Sequence, residues 1–356
     1  MGKEKIDLKK LDITKSGLGP SIGKQTIFLK KGVHIIGNYS IVGGKEGKGP
    51  FGKEFHKVVD DEYFGEKSHE DAEQKMFEQA IKGAIKSSGI KQEQINMMFS
   101  GDLLDQITSS SFAAREYDMP FVGIYGACST MALTLSIASC LIDSGVINTA
   151  VVSAGSHYAT AERQYRTPLE LGNQRPPTSH WTVTGVGASV LERATPSKKE
   201  PKIRSVTFGK VVDWGSLDAN NMGAVMAPAA AHTLVAHFRE SKTKPSDYSA
   251  IYTGDLGKLG GDILRDLLGN AGYSLGSNYV DCGAVIYHAE QTQYQGGSGC
   301  GCSAVSLNSY IMKRLKSGKY KRVLFVATGA LLSPTSSFQG NTIPGIAHCV
   351  EIEGVQ

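Results

Sequence analysis

The sequence predicts an α/β protein made of two similar halves that stack in five layers, α/β/α/β/α. In each half, short apolar stretches alternate with segments of helical periodicity, which indicates parallel strands joined by right-handed crossovers. An order of strand, Gly-Asp-Leu, Cys-Ser and closing strand occurs twice. In its first occurrence the segment 131–143 is small or apolar on nearly every face, which is typical of a helix enclosed on all sides.

The first half supplies each expected element in turn. We predict a strand over 33–40, an amphipathic helix over 70–87 and a second strand over 96–100. Another apolar strand, 121–125, leads to Cys128 and the enclosed helix. A closing strand follows over 149–153.

The second half repeats this order with a helix over 228–239, strand 250–253 and closing strand 322–327. Laying Cys128 on Cys302 requires an offset of 174 residues, and the same offset lays Gly155 on Gly329 without a gap. We therefore expect an internal duplication. The predicted organisation is an N-terminal extension (1–30), an N-terminal half carrying Cys128 (31–195) and a C-terminal half (196–356).

Composition restricts the class of partner. The 38 Lys and Arg residues are dispersed and exceed the 34 Asp and Glu residues by only 4, which argues against nucleic acid. No secretory signal is recognisable, and the longest near-apolar run, 131–142, is too short to span a bilayer. We expect a soluble or peripheral protein. Only Cys300 and Cys302 lie close together among six cysteines, so we expect free thiols, no metal and no cofactor.

Cys128 is the first candidate site residue. A thiol in the first turn of a helix meets unpaired backbone N–H groups and the positive end of the helix dipole, and both favour a thiolate or a bound anion. The position therefore predicts either a nucleophile or an anion-binding site. The alternative is an inert buried thiol, because free cysteine is among the most buried residue types.

The duplicated pattern with a cysteine on its first enclosed helix resembles the thiolase and ketoacyl-synthase superfamily. Within it, the chain is similar to the stage V sporulation protein AD family. The resemblance is carried by Ser100-Gly101-Asp102-Leu103-Leu104, Tyr125-Gly126-Ala127-Cys128-Ser129-Thr130, Ala159-Thr160-Ala161-Glu162-Arg163-Gln164, Val212-Asp213-Trp214-Gly215, Met226-Ala227-Pro228-Ala229-Ala230-Ala231, Gly296-Gly297-Ser298-Gly299-Cys300 and Ala327-Thr328-Gly329-Ala330-Leu331-Leu332-Ser333-Pro334.

This resemblance implies a thiolase-like fold, a homodimer and binding of dipicolinic acid (pyridine-2,6-dicarboxylate), as the free acid or as its calcium chelate. It also implies a role in moving this ligand into or out of the spore core during sporulation and germination. The implied partners are other membrane proteins of the same sporulation operon. The implied location is the cytoplasmic face of the spore inner membrane, as a peripheral protein. The glycine-rich strand 184–191 is the expected dimer interface.

The same resemblance predicts that the chain is not an enzyme. In ketoacyl synthases a histidine follows the strand equivalent to 250–253, where this chain has Gly254-Asp255. Their asparagine corresponds to Ser298, and the second cysteine of thiolases corresponds to Ala327. A cysteine without proton-transfer partners is a poor condensing catalyst. The alternative is an acyltransferase with Cys128 as nucleophile and His157 or His348 as base.

The predicted ligand-binding residues combine hydroxyl, arginine and aromatic chemistry. Hydroxyls near helix starts and an arginine fork suit carboxylates, and a tryptophan could stack on a pyridine ring. The set is Cys128, Ser129, Thr130, His157, Arg163, Trp214, Ser298, Gly299 and Cys300, with Ser303, Arg166 and Arg175 as further candidates.

Each choice has a structural alternative. His157 could bond only a neighbouring carbonyl, Trp214 could fill core, and Cys300 and Cys302 could be packing residues. The loop arginines could pair with Glu162 and Glu170, and Asp102 and Asp255 could serve as turn or cap residues.

Overall fold

The computed structural model describes residues 25–165, 175–291 and 294–356. The strands are β1 Thr26–Gly43, β2 Lys57–Val59, β3 Met97–Gly101, β4 Phe121–Gly123, β5 Thr149–Ser156, β6 Trp181–Thr182, β7 Gly185–Arg193, β8 Lys202–Thr207, β9 Ala250–Thr253, β10 Tyr279–Asp281, β11 Gly297–Ser298, β12 Arg322–Ala330 and β13 Gly345–Glu353. The helices are α1 Gly44–Gly47, α2 His69–Ser88, α3 Thr108–Ala114, α4 Thr130–Ser144, α5 Tyr158–Tyr165, α6 Met222–Ser241, α7 Gly257–Asn270, α8 Cys282–Val285, α9 Cys300–Ser306, α10 Met312–Lys316 and α11 Pro334–Phe338. A π-helical turn, Leu307–Ile311, joins α9 to α10.

The strand order confirms the predicted duplication. One half of the sheet runs β4-β3-β5-β7-β1, and the other runs β10-β9-β12-β13-β8 in the same arrangement. In each half the first three strands are parallel and the last two pair antiparallel. Antiparallel pairing of β1 with β8 joins the halves edge to edge.

Three hydrophobic cores separate the layers. Helix α2 packs on the first half-sheet, α6 packs on the second, and α4 and α9 lie between the two. Ser68 begins α2 by accepting a hydrogen bond from the backbone N–H of Asp71, and Gly89 ends it in the left-handed conformation. This confirms the five-layer α/β/α/β/α fold that the repeated pattern predicts.

Helix α4 is the enclosed helix of the sequence prediction, and it contacts strands of both half-sheets. With its preceding turn, from Ala127 to Ser144, it is the one helix of the described residues that is long and apolar enough to cross a membrane. Most of this segment is buried inside the protein, and a core helix passes the same composition test.

Two expectations change. Helix α6 begins at Met222, because the Asn221 side chain caps it by accepting from the N–H of Ala224, and Pro228 lies inside the helix. Strand β7 is hydrogen-bonded to β1 on one edge and to β5 on the other, so the strand expected at the dimer interface has no free edge.

Candidate functional site

The turn that carries Cys128 lies where the carboxyl ends of β3 and β12 meet. Two glycines make this approach possible: a Cβ on Gly101 would lie 1.8 Å from the carbonyl oxygen of Ile124, and one on Gly329 would lie 2.7 Å from that of Gly126. Ala127 has a φ of 49°, so the residue before the cysteine adopts the left-handed conformation. The backbone of both halves therefore fixes the position of the thiol.

The half-buried Cys128 faces a cleft of about 600 Å³, counting its open mouth. The lining is mainly apolar and aromatic and contains neither lysine nor arginine among the described residues. It consists of Leu103, Tyr125, Ala127, Cys128, Ala161, Glu162, Tyr165, His180, Thr182, Met222, Met226, Ser298, Ala330 and Leu332.

Asp255 lies close enough to Cys128 for its charge to act on the thiol. Its buried carboxylate accepts from Thr328 Oγ1 at 2.7 Å, from Ser298 Oγ at 3.1 Å and from the N–H of Gly299 at 3.0 Å. The C-terminal half thus places an acid beside the cysteine of the N-terminal half. This is the position after β9 where the sequence resemblance expects a histidine.

The surroundings of Cys128 keep the thiol protonated. Burial and, next, the charge of Asp255 raise the pKa of Cys128 well above its usual value, although the N–H of Gly299 lowers it. Burial also raises the pKa of Asp255, to about 7. The helix start that predicts a thiolate is therefore outweighed by burial and a neighbouring acid.

The hydroxyls at the start of α4 turn back onto their own turn. Ser129 Oγ donates to the carbonyl of Gly126 at 2.6 Å, and Thr130 Oγ1 donates to that of Ala127 at 2.7 Å. Both residues are buried, and neither lines the cleft.

Ser298 is the predicted hydroxyl residue that the structure brings to the cleft. The other residues of the second turn pack inside. The Cys300 thiol donates to the carbonyl of Gly155 at 2.8 Å, Cys302 donates to that of Gly254 at 3.4 Å, and Ser303 donates to that of Cys300 at 3.4 Å.

The two histidines considered as bases lie outside the cleft lining. His157 Nε2 bonds the carbonyl of Glu62 at 2.9 Å, and His348 Nδ1 accepts from the N–H of Gly209 at 3.2 Å. Burial lowers the pKa of each to about 4. His180 lines the cleft instead, with Nε2 3.1 Å from the carbonyl of Leu256.

The two candidate arginines that the structure describes, Arg163 and Arg175, lie in ion pairs. Arg163 pairs with Glu70, and Arg175 pairs with the cleft residue Glu162 at 2.7 Å. Arg166 and Glu170 lie outside the described residues. Trp214 is half-buried between β8 and α6 and does not line the cleft.

Asp102 serves as a turn residue: its carboxylate accepts from the N–H groups of Leu104 at 2.9 Å and Ser110 at 2.7 Å. Asp255 differs from Asp102 despite the shared Gly-Asp-Leu sequence, because its carboxylate bonds Ser298, Gly299 and Thr328 and its charge acts on Cys128 of the other half.

Sequence reasoning missed the aromatic and sulfur-containing walls of the cleft. Tyr125 stands three residues before Cys128, and this closeness in sequence could have identified it as a residue of the site. Tyr165, His180 and Met222 come from distant segments and carry no local signal, whereas Met226 begins one of the motifs that carry the family resemblance.

Comparisons with known proteins agree with this architecture. The sequence model of the family described as Stage V sporulation protein AD matches residues 23–353. Stage V sporulation protein AD of Bacillus subtilis (strain 168) is 43% identical over 331 residues, which are 93% of this chain and 97% of that protein.

Solved structures show the fold. The 3-oxoacyl-[acyl-carrier-protein] synthase III of Aquifex aeolicus VF5 is 15% identical, with a TM-score of 0.55, over 90% of this chain and 100% of that one. Cerulenin-bound OleA of Xanthomonas campestris is 15% identical, with a TM-score of 0.59, over 95% of this chain and 100% of that one. The fold is thiolase-like, and the chain belongs to the Stage V sporulation protein AD family of sporulation proteins.

Proposed function

We propose that the chain binds dipicolinic acid in the cleft beside Cys128 without transforming it, and that this binding serves uptake into or release from the spore core. The observation that carries the proposal is the buried Asp255 carboxylate beside the Cys128 thiol, because its charge raises the pKa of that thiol. Acyl transfer through a cysteine needs a thiolate and a nearby base. This arrangement opposes ionisation of the thiol instead.

The cleft suits a small planar ligand. Tyr125 and Tyr165 offer aromatic faces, with their hydroxyls 3.2 Å apart, and Met222 and Met226 add polarizable contacts. Polar groups are few: Ser298, Thr182, His180 and Glu162, which is paired with Arg175, also line the cleft. An apolar pocket with a few convergent polar groups is the usual form of a small-molecule site.

Homodimer formation is part of the proposal, and β4 is the favoured interface. Among the described strands β4 pairs with β3 alone, so its other edge is open in this part of the chain. The strand and its surroundings expose large apolar side chains: Val122 of β4 is 36% exposed, and Tyr125 and Phe112 beside the strand are each 46% exposed. The opposite terminal strand, β10, has Tyr279 and Asp281 buried, so β4 is the better edge for a second copy.

We place the protein at the cytoplasmic face of the spore inner membrane, beside the membrane proteins of its operon. Family membership supports this location. Co-sedimentation with inner-membrane vesicles from wild-type spores, but not from spores lacking those operon proteins, is the expected result. Equal recovery from both vesicle preparations would contradict the partnership.

Calorimetry with dipicolinic acid tests the proposed ligand. We expect saturable binding with one site per chain, strongly weakened by Ser298→Leu, which fills the polar side of the cleft. Trp214→Ala is the matched control, because this half-buried residue lies outside the cleft, and it should bind like the unmodified protein. Titration with the calcium chelate under the same conditions shows which form is preferred. No heat of binding with either form would overturn the proposal.

A further inference from the structure

The cleft is poor in positive charge for a site proposed to hold an anion. Its described lining contains one acid, Glu162, and no lysine or arginine. Arg175 lies next to it, but its guanidinium is held by Glu162 at 2.7 Å, so this pair adds no net charge. A ligand carboxylate entering the cleft must therefore find another source of compensation.

Asp255 lies one hydrogen bond behind the cleft surface. Ser298 and Cys128 line the cleft. Ser298 Oγ donates to the Asp255 carboxylate at 3.1 Å, and the charge of this carboxylate also acts on the Cys128 thiol. Only these two side chains would separate an anionic ligand in the cleft from the ionised Asp255 carboxylate. Two ionised carboxylates in one buried site repel, and such pairs commonly hold a proton.

The groups facing Asp255 do not neutralise it. Thr328 of β12, Ser298 and the N–H of Gly299 supply hydrogen bonds. Asp281, at the end of β10, is a second buried acid. Among the described residues, the ionisable groups with the largest effect on the pKa of Asp255 are Asp281 and Cys128, and neither is a cation. The charge of Asp255 in turn raises the pKa of four thiols, those of Cys128, Cys282, Cys300 and Cys302.

We propose that Asp255 takes up one proton from solvent each time a carboxylate ligand enters the cleft, and releases it when the ligand leaves. The proton adds to a carboxylate oxygen of Asp255, and no covalent bond of the ligand forms or breaks. The inference rests on the proposed function, because it describes how that same cleft holds an anion. Burial, with a smaller contribution from Asp281, raises the pKa of Asp255 to about 7, which places the uptake near neutral pH.

Calorimetry of dipicolinate binding in buffers of different ionisation enthalpy tests this coupling. The slope of the observed binding enthalpy against the buffer's ionisation enthalpy gives the number of protons taken up per ligand bound. At pH 8 we expect close to one proton taken up per ligand bound, falling towards zero at pH 6. The dissociation constant should rise about tenfold per pH unit above pH 7.

The variant Asp255→Asn keeps the shape of the side chain and cannot titrate. It should bind with no proton uptake and with an affinity independent of pH between 6 and 8.5. The control Asp105→Asn alters an exposed acid bonded to Gln164 and should retain the coupling. Wild-type binding with no proton uptake at pH 8 would overturn the inference, whether or not the variant folds. Absence of binding at every pH would instead overturn the proposed function.

Discussion

At the scale of single residues, the partner of a thiol decides what it can do. The position of Cys128 before a helix predicts a lowered pKa, and this part of the expectation follows from local sequence. The opposing group, Asp255, lies 127 positions further along the chain. Its role depends on the approach of the two halves, which residue spacing alone does not reveal.

Asp255→Asn should make Cys128 more reactive. Removing the negative charge lowers the pKa of the thiol, since that charge is the largest cause of the rise after burial. We expect alkylation by iodoacetamide at pH 8 to become several-fold faster, measured as mass added at Cys128. The control Asp105→Asn should react like the unmodified protein. An unchanged rate in Asp255→Asn would show that burial alone suppresses the thiol.

His348 should make stability depend on pH. Burial lowers its pKa from 6.5 to about 4, so the unfolded chain binds a proton between these values that the folded chain excludes. Relative to His348→Asn, the wild type should therefore lose about 1.4 kcal/mol of unfolding free energy per pH unit as pH falls from 6.5 to 4.

Urea denaturation at pH 7, 6 and 5 measures this difference. Asparagine is chosen because its side-chain oxygen can accept from the N–H of Gly209 in place of Nδ1. The exposed His288→Asn is the control and should show no such trend. A constant difference between wild type and His348→Asn across this range would contradict the assignment of a buried neutral imidazole.

At the scale of elements, close backbone contact between the end of β12 and the turn before α4 builds the site. Gly329 should not tolerate alanine, because the added Cβ would meet the Gly126 carbonyl at 2.7 Å. We expect Gly329→Ala to reduce the free energy of unfolding by about 1–3 kcal/mol. Chemical denaturation of the variant and the unmodified protein measures this difference in the free energy of unfolding.

Gly269→Ala is the matched control, because an added Cβ there meets nothing within 4 Å and the position lies in α7. It should stabilise the protein by about 0.4–1 kcal/mol. Equal effects of the two substitutions would contradict the account of Gly329.

Elements with strong periodicity were predictable. The apolar face of α2 and the strands β3 and β9 lie where the pattern places them. The start of α6 was not predictable. Pro228 suggests that the helix begins there, because proline is typical of a first helical turn, but the cap is Asn221. Cleft walls such as Met222 belong to elements whose packing depends on long-range contacts, so no local pattern identifies them.

At the scale of the whole molecule, the duplication brings the two halves into one site. Cys128 comes from the first half, whereas Asp255, Ser298 and Gly299 come from the second. The repeat itself was visible in the sequence because its order of elements is the same twice. Only the family resemblance indicated that Asp255 stands where ketoacyl synthases are expected to carry a histidine.

Val122→Lys should prevent dimer formation if two copies pair through β4. A charge on an open strand edge opposes pairing with the same edge of a second copy. Sedimentation should give twice the chain mass of 38.0 kDa for the wild type and one chain mass for the variant. The control Val146→Lys changes an exposed valine after α4 and should remain dimeric. A dimeric Val122→Lys protein would assign the interface elsewhere.

Incubation with an acyl thioester, followed by intact mass and released thiol, tests most directly whether this site binds or transforms its ligand. With Asp255 beside the sulfur and the imidazoles of His157 and His348 engaged elsewhere, the expected result is no acyl mass on Cys128 and thiol release at the uncatalysed rate. Rapid thiol release with an acyl group on Cys128 would contradict the account and establish an acyltransferase.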